Sequence, residues 1–149
     1  MGASNSKIKI NYEDVQAACK HSFNRDINNH DNKYAIINTL DKSCQTCLIP
    51  NTIPINEEEE IVNNIIKNSR DKTRIIIYGL NSNDESVHIK YEQLVKFGIK
   101  NVYIYCGGMF EWLLLQDVYG HDLFPTTLRE LDILKYKPRK ILDILCIKM

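Results

Sequence analysis

Arg74-Ile75-Ile76-Ile77-Tyr78 is the run of residues that decides the fold. An unbroken series of β-branched side chains is typical of a strand that is buried on both faces of a sheet. A polar loop follows at 79–86, then a helical pattern of apolar residues that ends at Gly98, and then a second strand, Asn101-Val102-Tyr103-Ile104-Tyr105. A strand, a loop, a helix and a strand at this spacing predict a βαβ unit whose strands are parallel. The loop then lies at the carboxyl end of a central strand, where open α/β sheets bind anions and small ligands.

Three further motifs have the order and spacing of a known domain. The helix ends in Gly98-Ile99, the second strand runs into Gly107-Gly108-Met109-Phe110-Glu111-Trp112, and an earlier segment reads Ile49-Pro50-Asn51-Thr52-Ile53-Pro54-Ile55. Over residues 10–126 these motifs resemble the rhodanese-like domain family. The resemblance implies an α/β fold, a parallel sheet of about five strands with helices on both faces. It also implies a catalytic cysteine directly after the central strand, cradled by the next backbone N–H groups.

The loop departs from the family pattern at the position of the chemistry. Gly79 stands where the catalytic cysteine is expected, and Asn83-Asp84-Glu85 stands where the family usually carries an arginine. Sulfur transfer, and the phosphatase chemistry of related domains, need a thiolate stabilised by N–H groups and positive charge. We therefore expect a catalytically inactive member, with no catalytic residue. The loop is expected instead to bind a partner or ligand, and its residues are Gly79, Leu80, Asn81, Ser82, Asn83, Asp84, Glu85 and Ser86.

Composition and charge exclude several other classes of protein. A chain of 149 residues fits one domain with short extensions. The formal net charge is zero, so no global field favours a nucleic acid as a partner. The five cysteines are an odd, irregularly spaced set without a secretory signal peptide, which favours reduced thiols in the cytoplasm. No apolar run approaches the roughly 20 residues that span a bilayer, and no pattern predicts a metal site or a cofactor.

The amino end matches the pattern for N-myristoylation. In Met1-Gly2-Ala3-Ser4-Asn5-Ser6-Lys7, Gly2 is exposed once Met1 is removed, and Ser6 lies at the favoured position. Acylation of Gly2 implies a eukaryotic host, or a virus that uses one, and a location on the cytoplasmic side of a membrane. A single myristoyl chain binds membranes only marginally, so we expect reversible attachment. The alternative is an ordinary terminus that begins Met-Gly.

The sequence also contains a Cys-x-x-Cys motif, Cys44-Gln45-Thr46-Cys47. Such a motif is found as a redox pair or as half of a zinc site. No second pair completes a zinc site, and this motif runs into Leu48-Ile49-Pro50 and not into a helix. The pattern therefore favours a loop that contains two thiols, although Cys44 and Cys47 stay candidates for thiol chemistry. Cys106 is a third candidate, at a position that varies in the family.

The motifs divide the chain into three predicted segments. Residues 1–8 are a flexible amino-terminal segment, residues 9–126 are the rhodanese-like domain, and residues 127–149 are a helical extension. In the extension, Thr127 is expected to cap a helix, and a second apolar stripe follows Pro138. We expect this extension to pack on the domain, because an exposed stripe of this size favours aggregation. The alternative is that it binds a partner or a membrane.

Together these features predict a non-catalytic rhodanese-like adaptor. It would bind a protein and be tethered to a cytosolic membrane face through Gly2. One alternative is a structural component of a larger assembly, including a viral one. The other is a thiol-dependent enzyme that uses Cys44 and Cys47, or Cys106.

Overall fold

The computed structural model describes residues 7–20 and 34–142. Four strands and four α-helices lie in these two ranges. In chain order they are β1 (Ile8–Ile10), α1 (Tyr12–Lys20), β2 (Tyr34–Asn38), α2 (Ile55–Asn68), β3 (Arg74–Tyr78), α3 (Glu85–Lys96), β4 (Val102–Tyr105) and α4 (Gly108–Tyr119). Two short 3-10 helices complete the described part of the chain, at Lys42–Cys44 and Ile133–Tyr136.

The strands form one parallel sheet in the order β1-β4-β3-β2. β3 lies next to both β2 and β4, with Ile76 opposite Ile36 on one side and opposite Tyr103 on the other. The predicted α/β fold and the β3-α3-β4 unit are therefore confirmed. The sheet has four strands within the described residues, whereas the family resemblance suggested about five.

Helices cover both faces of the sheet, so β3 is buried on both sides. Ile76 and Tyr78 point to a core that α1 and α4 close, and this core contains Trp112. Ile75 and Ile77 point to a second core, which α2 and α3 close. Successive strand residues face opposite sides of a sheet. A strand between two helical layers therefore needs apolar residues at every position, which is the pattern that predicted it.

The two adjacent glycines allow the start of α4 to approach the end of β3. Gly108 has φ +64°, and a Cβ atom there would lie 2.6 Å from the carbonyl oxygen of Gly79. The N–H groups of Met109 and Phe110 each donate at 2.9 Å, to the carbonyls of Gly79 and Leu80 respectively. A side chain at position 108 would break this contact, because the backbone is too close and its φ disfavours L residues.

The helix predicted to start after Thr127 is wrong. The Thr127 hydroxyl donates to the carbonyl of Thr46 and accepts from the N–H of Leu48, while its own N–H donates to the Leu48 carbonyl. These bonds hold Thr127 against the loop after β2, so its hydroxyl does not cap a helix. The only helical turn in the described part of the extension is the 3-10 helix at Ile133–Tyr136.

Beyond Thr127, the extension packs on the domain through Tyr136 and, less deeply, through Ile133. Tyr136 is fully buried and belongs to the same core as Trp112. Its carbonyl accepts a hydrogen bond of 2.9 Å from the side-chain amide of Asn81. The second predicted stripe is described only as far as Leu142, and neither Ile141 nor Leu142 is helical. The boundaries of the three predicted segments stay predictions.

No helix in the described ranges is both long enough and apolar enough to cross a membrane.

Candidate functional site

The candidate site is the β3 loop, residues 79–86, of which the last two begin α3. Tyr78 ends the central strand and Gly79 follows directly, so the loop lies at the carboxyl edge of the sheet as predicted. Its eight residues differ in exposure. Gly79 and Asn81 are buried, Leu80, Asp84 and Ser86 are half-buried, and Ser82, Asn83 and Glu85 are exposed.

The carboxylate of Asp84 closes the β3 loop from inside. Its Oδ2 accepts from the backbone N–H of Leu80 at 2.9 Å. Its Oδ1 accepts from the N–H of Ser86 at 3.1 Å and from the Ser86 hydroxyl at 2.5 Å. Asp84 is thus the N-cap of α3, where its negative charge also meets the positive end of the helix dipole. The N–H groups that could hold an external anion here bind an anion of the chain itself.

The same carboxylate fills the space beside Gly79. A Cβ atom built on Gly79 would lie 2.3 Å from Asp84 Oδ2, 2.7 Å from Val87 Cγ2 and 2.8 Å from Thr39 Oγ1. Atoms this close cannot coexist, so no side chain fits at position 79 unless its neighbours move. The constraint comes from packing, because the backbone of Gly79 is not in the left-handed region.

Asn81 fixes the rest of the loop. Its side-chain oxygen accepts from the N–H of Asn83 at 2.9 Å, and its amide donates to the carbonyl of Tyr136. The N–H of Asp84 donates to the Asn81 carbonyl at 3.2 Å. These hydrogen bonds order the backbone of the loop. The exposed side chains of Ser82, Asn83 and Glu85 therefore project from an ordered backbone.

A shallow groove of about 310 Å³ begins beside the loop, at Thr39 and Ser86. It runs between the start of α2 and the exposed side of α3, with Ile55 on one side and Ile89 on the other. Lys90 and Glu58 meet across it at 2.8 Å, and both side chains are partly buried. The sequence analysis did not find this groove, because it depends on how α2 packs beside α3.

Two of the three candidate thiols, Cys44 and Cys47, lie in the protein core. Both are buried and belong to the core that contains Trp112. Burial raises the pKa of Cys47 above the usual value, although a hydrogen bond with Thr126 opposes part of this effect. Burial also raises the pKa of Cys19, to about 12. Cys106 is half-buried, and these four cysteines of the described residues are all free thiols.

The remaining sequence predictions for the site concern lipidation and metal binding. Gly2 lies outside the described residues. Within the ranges that the structure covers, no three His, Cys, Asp or Glu side chains converge closely enough to hold a metal ion.

The chain is an α/β protein. It has a parallel sheet with helices on both faces, and the candidate loop follows its central strand. The model of the rhodanese-like domain matches residues 24–115, which is more than half of the chain. The chain therefore belongs to the rhodanese-like domain family.

Comparison with solved structures supports the same fold. The rhodanese-like domain of the Alr3790 protein from Anabaena sp., determined in solution by NMR, is similar with a TM-score of 0.51. The match covers 96% of this chain and 93% of the Anabaena domain, at 18% sequence identity. Identity at this level shows the fold alone. A search of curated proteins finds no match.

Proposed function

We propose that this protein is a catalytically inactive rhodanese-like domain that binds a protein partner on the cytosolic face of a membrane, where a myristoyl group on Gly2 tethers it. One observation carries the proposal. The carboxylate of Asp84 takes up the backbone donors and the space that a catalytic cysteine and its anionic substrate would need at Gly79.

The chemistry of the loop argues against sulfur transfer. A persulfide or phosphoenzyme intermediate needs a nucleophilic thiolate in positive surroundings. Gly79 has no nucleophile, and Asp84 and Glu85 bring negative charge to the place where an anionic substrate would enter. The two thiols of the Cys-x-x-Cys motif are buried in the core and do not replace the missing cysteine.

The surface beside the loop suits a protein partner. Ser82, Asn83 and Glu85 are exposed on a backbone whose hydrogen bonds are already made. Little conformational entropy is then lost when they are covered, which favours binding. The adjacent groove offers exposed apolar side chains at Ile55 and Ile89. An extended segment with an apolar side chain for the groove and a donor or cation for Glu85 would complement both.

The tether is supported by the sequence of the amino end, where Gly2 and Ser6 match the acylation pattern. Lys7 is the first described residue, and its Nζ lies 3.1 Å from His88 Nδ1 and 3.6 Å from a carboxylate oxygen of Glu92, both on α3. These contacts are not among the residues that line the groove, so they leave the groove open to a partner.

The first test addresses catalysis. Full-length protein is assayed for sulfur transfer from thiosulfate to cyanide and for hydrolysis of an aryl phosphate. An active domain of this family measured in parallel is the positive control. We expect no turnover above the rate without protein. Turnover at the rate of the control, abolished by substitution of one residue of this chain, would overturn the proposal.

The second test addresses the binding surface. A photo-crosslinking amino acid is placed at Ser82 and, as the control, at Lys72, which is exposed at the opposite edge of the sheet just before β3. In cells that express the full-length protein, we expect a defined cross-linked product at Ser82 alone. It should be lost in the Ile89→Asp variant. Products that are absent, or equal at both positions, would contradict a partner surface at the loop.

The third test addresses the tether. The intact mass of protein made in a eukaryotic cell is compared with that of Gly2→Ala, and both are floated with membranes. A myristoyl increment and flotation should be lost together in the variant. Unmodified wild-type protein that does not float would remove the membrane part of the proposal and leave the other two tests unaffected.

A further inference from the structure

The stretch from Leu131 to Leu142 combines exposed apolar side chains with cations. Leu131 and Ile141 are each 80% exposed, and Leu142 is 67% exposed. Leu134 is exposed as well. Large apolar side chains this close together are unusual on the surface of a monomer and commonly mark a place where another surface binds.

The same stretch has a local positive charge that the rest of the chain balances. Residues 131–142 contain four Lys or Arg residues and one acidic residue, Asp132, whereas the whole chain has a formal net charge of zero. Lys135 is paired with Glu130 at 3.8 Å. The other three, Lys137, Arg139 and Lys140, are exposed and form no ion pair with any residue in the described ranges.

This stretch is held on the domain through its 3-10 helix, where Ile133 also packs against the core. Tyr136 is buried in the core, and its carbonyl accepts from Asn81. Because Leu134 and Lys137 lie on either side of Tyr136, their side chains are displayed from a fixed position and not from a free chain. Asn81 also belongs to the β3 loop, so the stretch starts beside the proposed partner surface.

We propose that residues 131–142 form a second membrane-binding surface, which contacts a bilayer that contains anionic phospholipid. The apolar side chains would enter the boundary between headgroups and acyl chains, and the long Lys and Arg side chains would reach the phosphates. Interleaved apolar side chains and cations fit such an interface.

The inference deepens the proposed tether and partly rests on it. A single myristoyl chain binds a bilayer only marginally, and stable attachment needs a second signal. Each cation near an anionic leaflet strengthens binding by about fivefold. The three unpaired cations would therefore supply an increase of roughly 100-fold, which depends on lipid charge and on ionic strength.

The test uses full-length protein made in bacteria with and without co-expressed N-myristoyltransferase. Each form is sedimented with vesicles of phosphatidylcholine alone or with added phosphatidylserine. The tail variant is Lys137→Gln/Arg139→Gln/Lys140→Gln. The matched control is Lys67→Gln/Lys72→Gln/Lys96→Gln, which removes three exposed lysines elsewhere. Circular dichroism checks that all variants fold.

We expect both forms of wild-type protein to prefer the phosphatidylserine vesicles. The tail variant should lose this preference by roughly 100-fold, and the control variant should keep most of it. An equal loss in both variants, equal binding by the tail variant and wild type, or no preference for phosphatidylserine in either form would overturn the inference. Because the unmodified protein is tested as well, a failure of myristoylation, seen in the intact mass, is separate from a failure of this surface.

Discussion

Two loops at the carboxyl edge of the same sheet are closed in opposite ways. The β2 loop, residues 39–54, contains the Cys-x-x-Cys motif and turns Cys47, Leu48 and Ile49 into the core. The β3 loop is held by polar groups, chiefly Asp84 and Asn81, that hydrogen-bond within the loop or to its neighbours. Neither of these two loops therefore presents an exposed cysteine at this edge of the sheet. One is closed by burial and the other by an internal carboxylate.

The two kinds of closure differ in strength. Burial of a large aliphatic side chain stabilises a fold by about 1.5–3 kcal/mol, and its loss also leaves a cavity. A hydrogen bond in a loop contributes about 0.5–1.5 kcal/mol net, because water competes for both partners. Substitutions in the β2 loop should therefore change stability, whereas substitutions in the β3 loop should change mainly what the surface can bind.

The largest effect is expected at Ile49 in the β2 loop. Ile49 is fully buried in the core that contains Trp112. Ile49→Ala should lower the free energy of unfolding by about 2–5 kcal/mol, measured by urea titration. Ile89→Ala, which truncates a largely exposed isoleucine of the groove, is the matched control and should change it by less than about 0.5 kcal/mol. Equal losses would mean that the β2 loop is not part of the core.

The next effect is steric and lies in the β3 loop. Gly79→Cys would place a Cβ atom against Asp84 Oδ2. Because the site would then be overpacked, the free energy of unfolding should fall by about 1–3 kcal/mol. Combining it with Asp84→Ala removes the closest clash. The double variant should therefore be less destabilised than the sum of the single variants by at least about 0.5 kcal/mol.

This pair of variants also tests whether the cysteine alone restores activity. Gly79→Cys should show no sulfur transfer from thiosulfate, because the Asp84 carboxylate still occupies the N–H donors. Strict additivity of the two substitutions in urea unfolding would contradict the packing of Asp84 against Gly79. Sulfur transfer by the single variant would show that the loop can open around a thiolate.

A smaller effect is expected when the internal carboxylate is removed alone. Asp84→Ala removes the N-cap of α3 and the acceptor for the Leu80 N–H, which should cost about 1 kcal/mol. Glu85→Ala removes a neighbouring exposed charge that has no such contact among the described hydrogen bonds and ion pairs. It should cost less than about 0.5 kcal/mol. Equal effects of the two variants on urea unfolding would argue against Asp84 as the closure of the loop.

The sequence predicted the parts of the fold that rest on local pattern. The apolar run at 74–78 predicted a doubly buried strand, and Gly98, at φ +91°, lies two residues after Lys96, the last residue of α3. The extension could not be predicted in the same way. Thr127 and Glu130 have the spacing of a helix start, but tertiary hydrogen bonds to residues 46–48 outweigh that local preference.

The candidate site was predicted in position but not in mechanism. Gly79 marks the missing nucleophile in the sequence, and Asp84 was interpreted there as part of the segment that replaces the family's arginine and as a residue of the partner loop. The contact of Asp84 with the Leu80 N–H depends on how the β3 loop folds back on itself, and no sequence pattern gives that geometry. The groove between Ile55 and Ile89 was missed for the same reason, since it exists only once α2 and α3 pack.

The smallest effect on stability, and the clearest test of a thiol enzyme, is expected at Cys106. In a Cys146→Ser background, Cys106 is the half-buried thiol among three buried ones, so it should be alkylated first by iodoacetamide near neutral pH. The Cys106→Ser variant should fold, and its remaining thiols should be alkylated only as fast as local unfolding exposes them. The substitution should lower the free energy of unfolding by less than about 1 kcal/mol. Cys44 and Cys47 are protected by burial, and a raised pKa keeps Cys47 in the unreactive thiol form.

Mass spectrometry of the peptides measures each rate, with urea-unfolded protein as the control. Rapid alkylation of Cys44 or Cys47 in folded Cys106→Ser would mean that the β2 loop opens to expose a reactive thiolate, and the contrast between the two loops would fail.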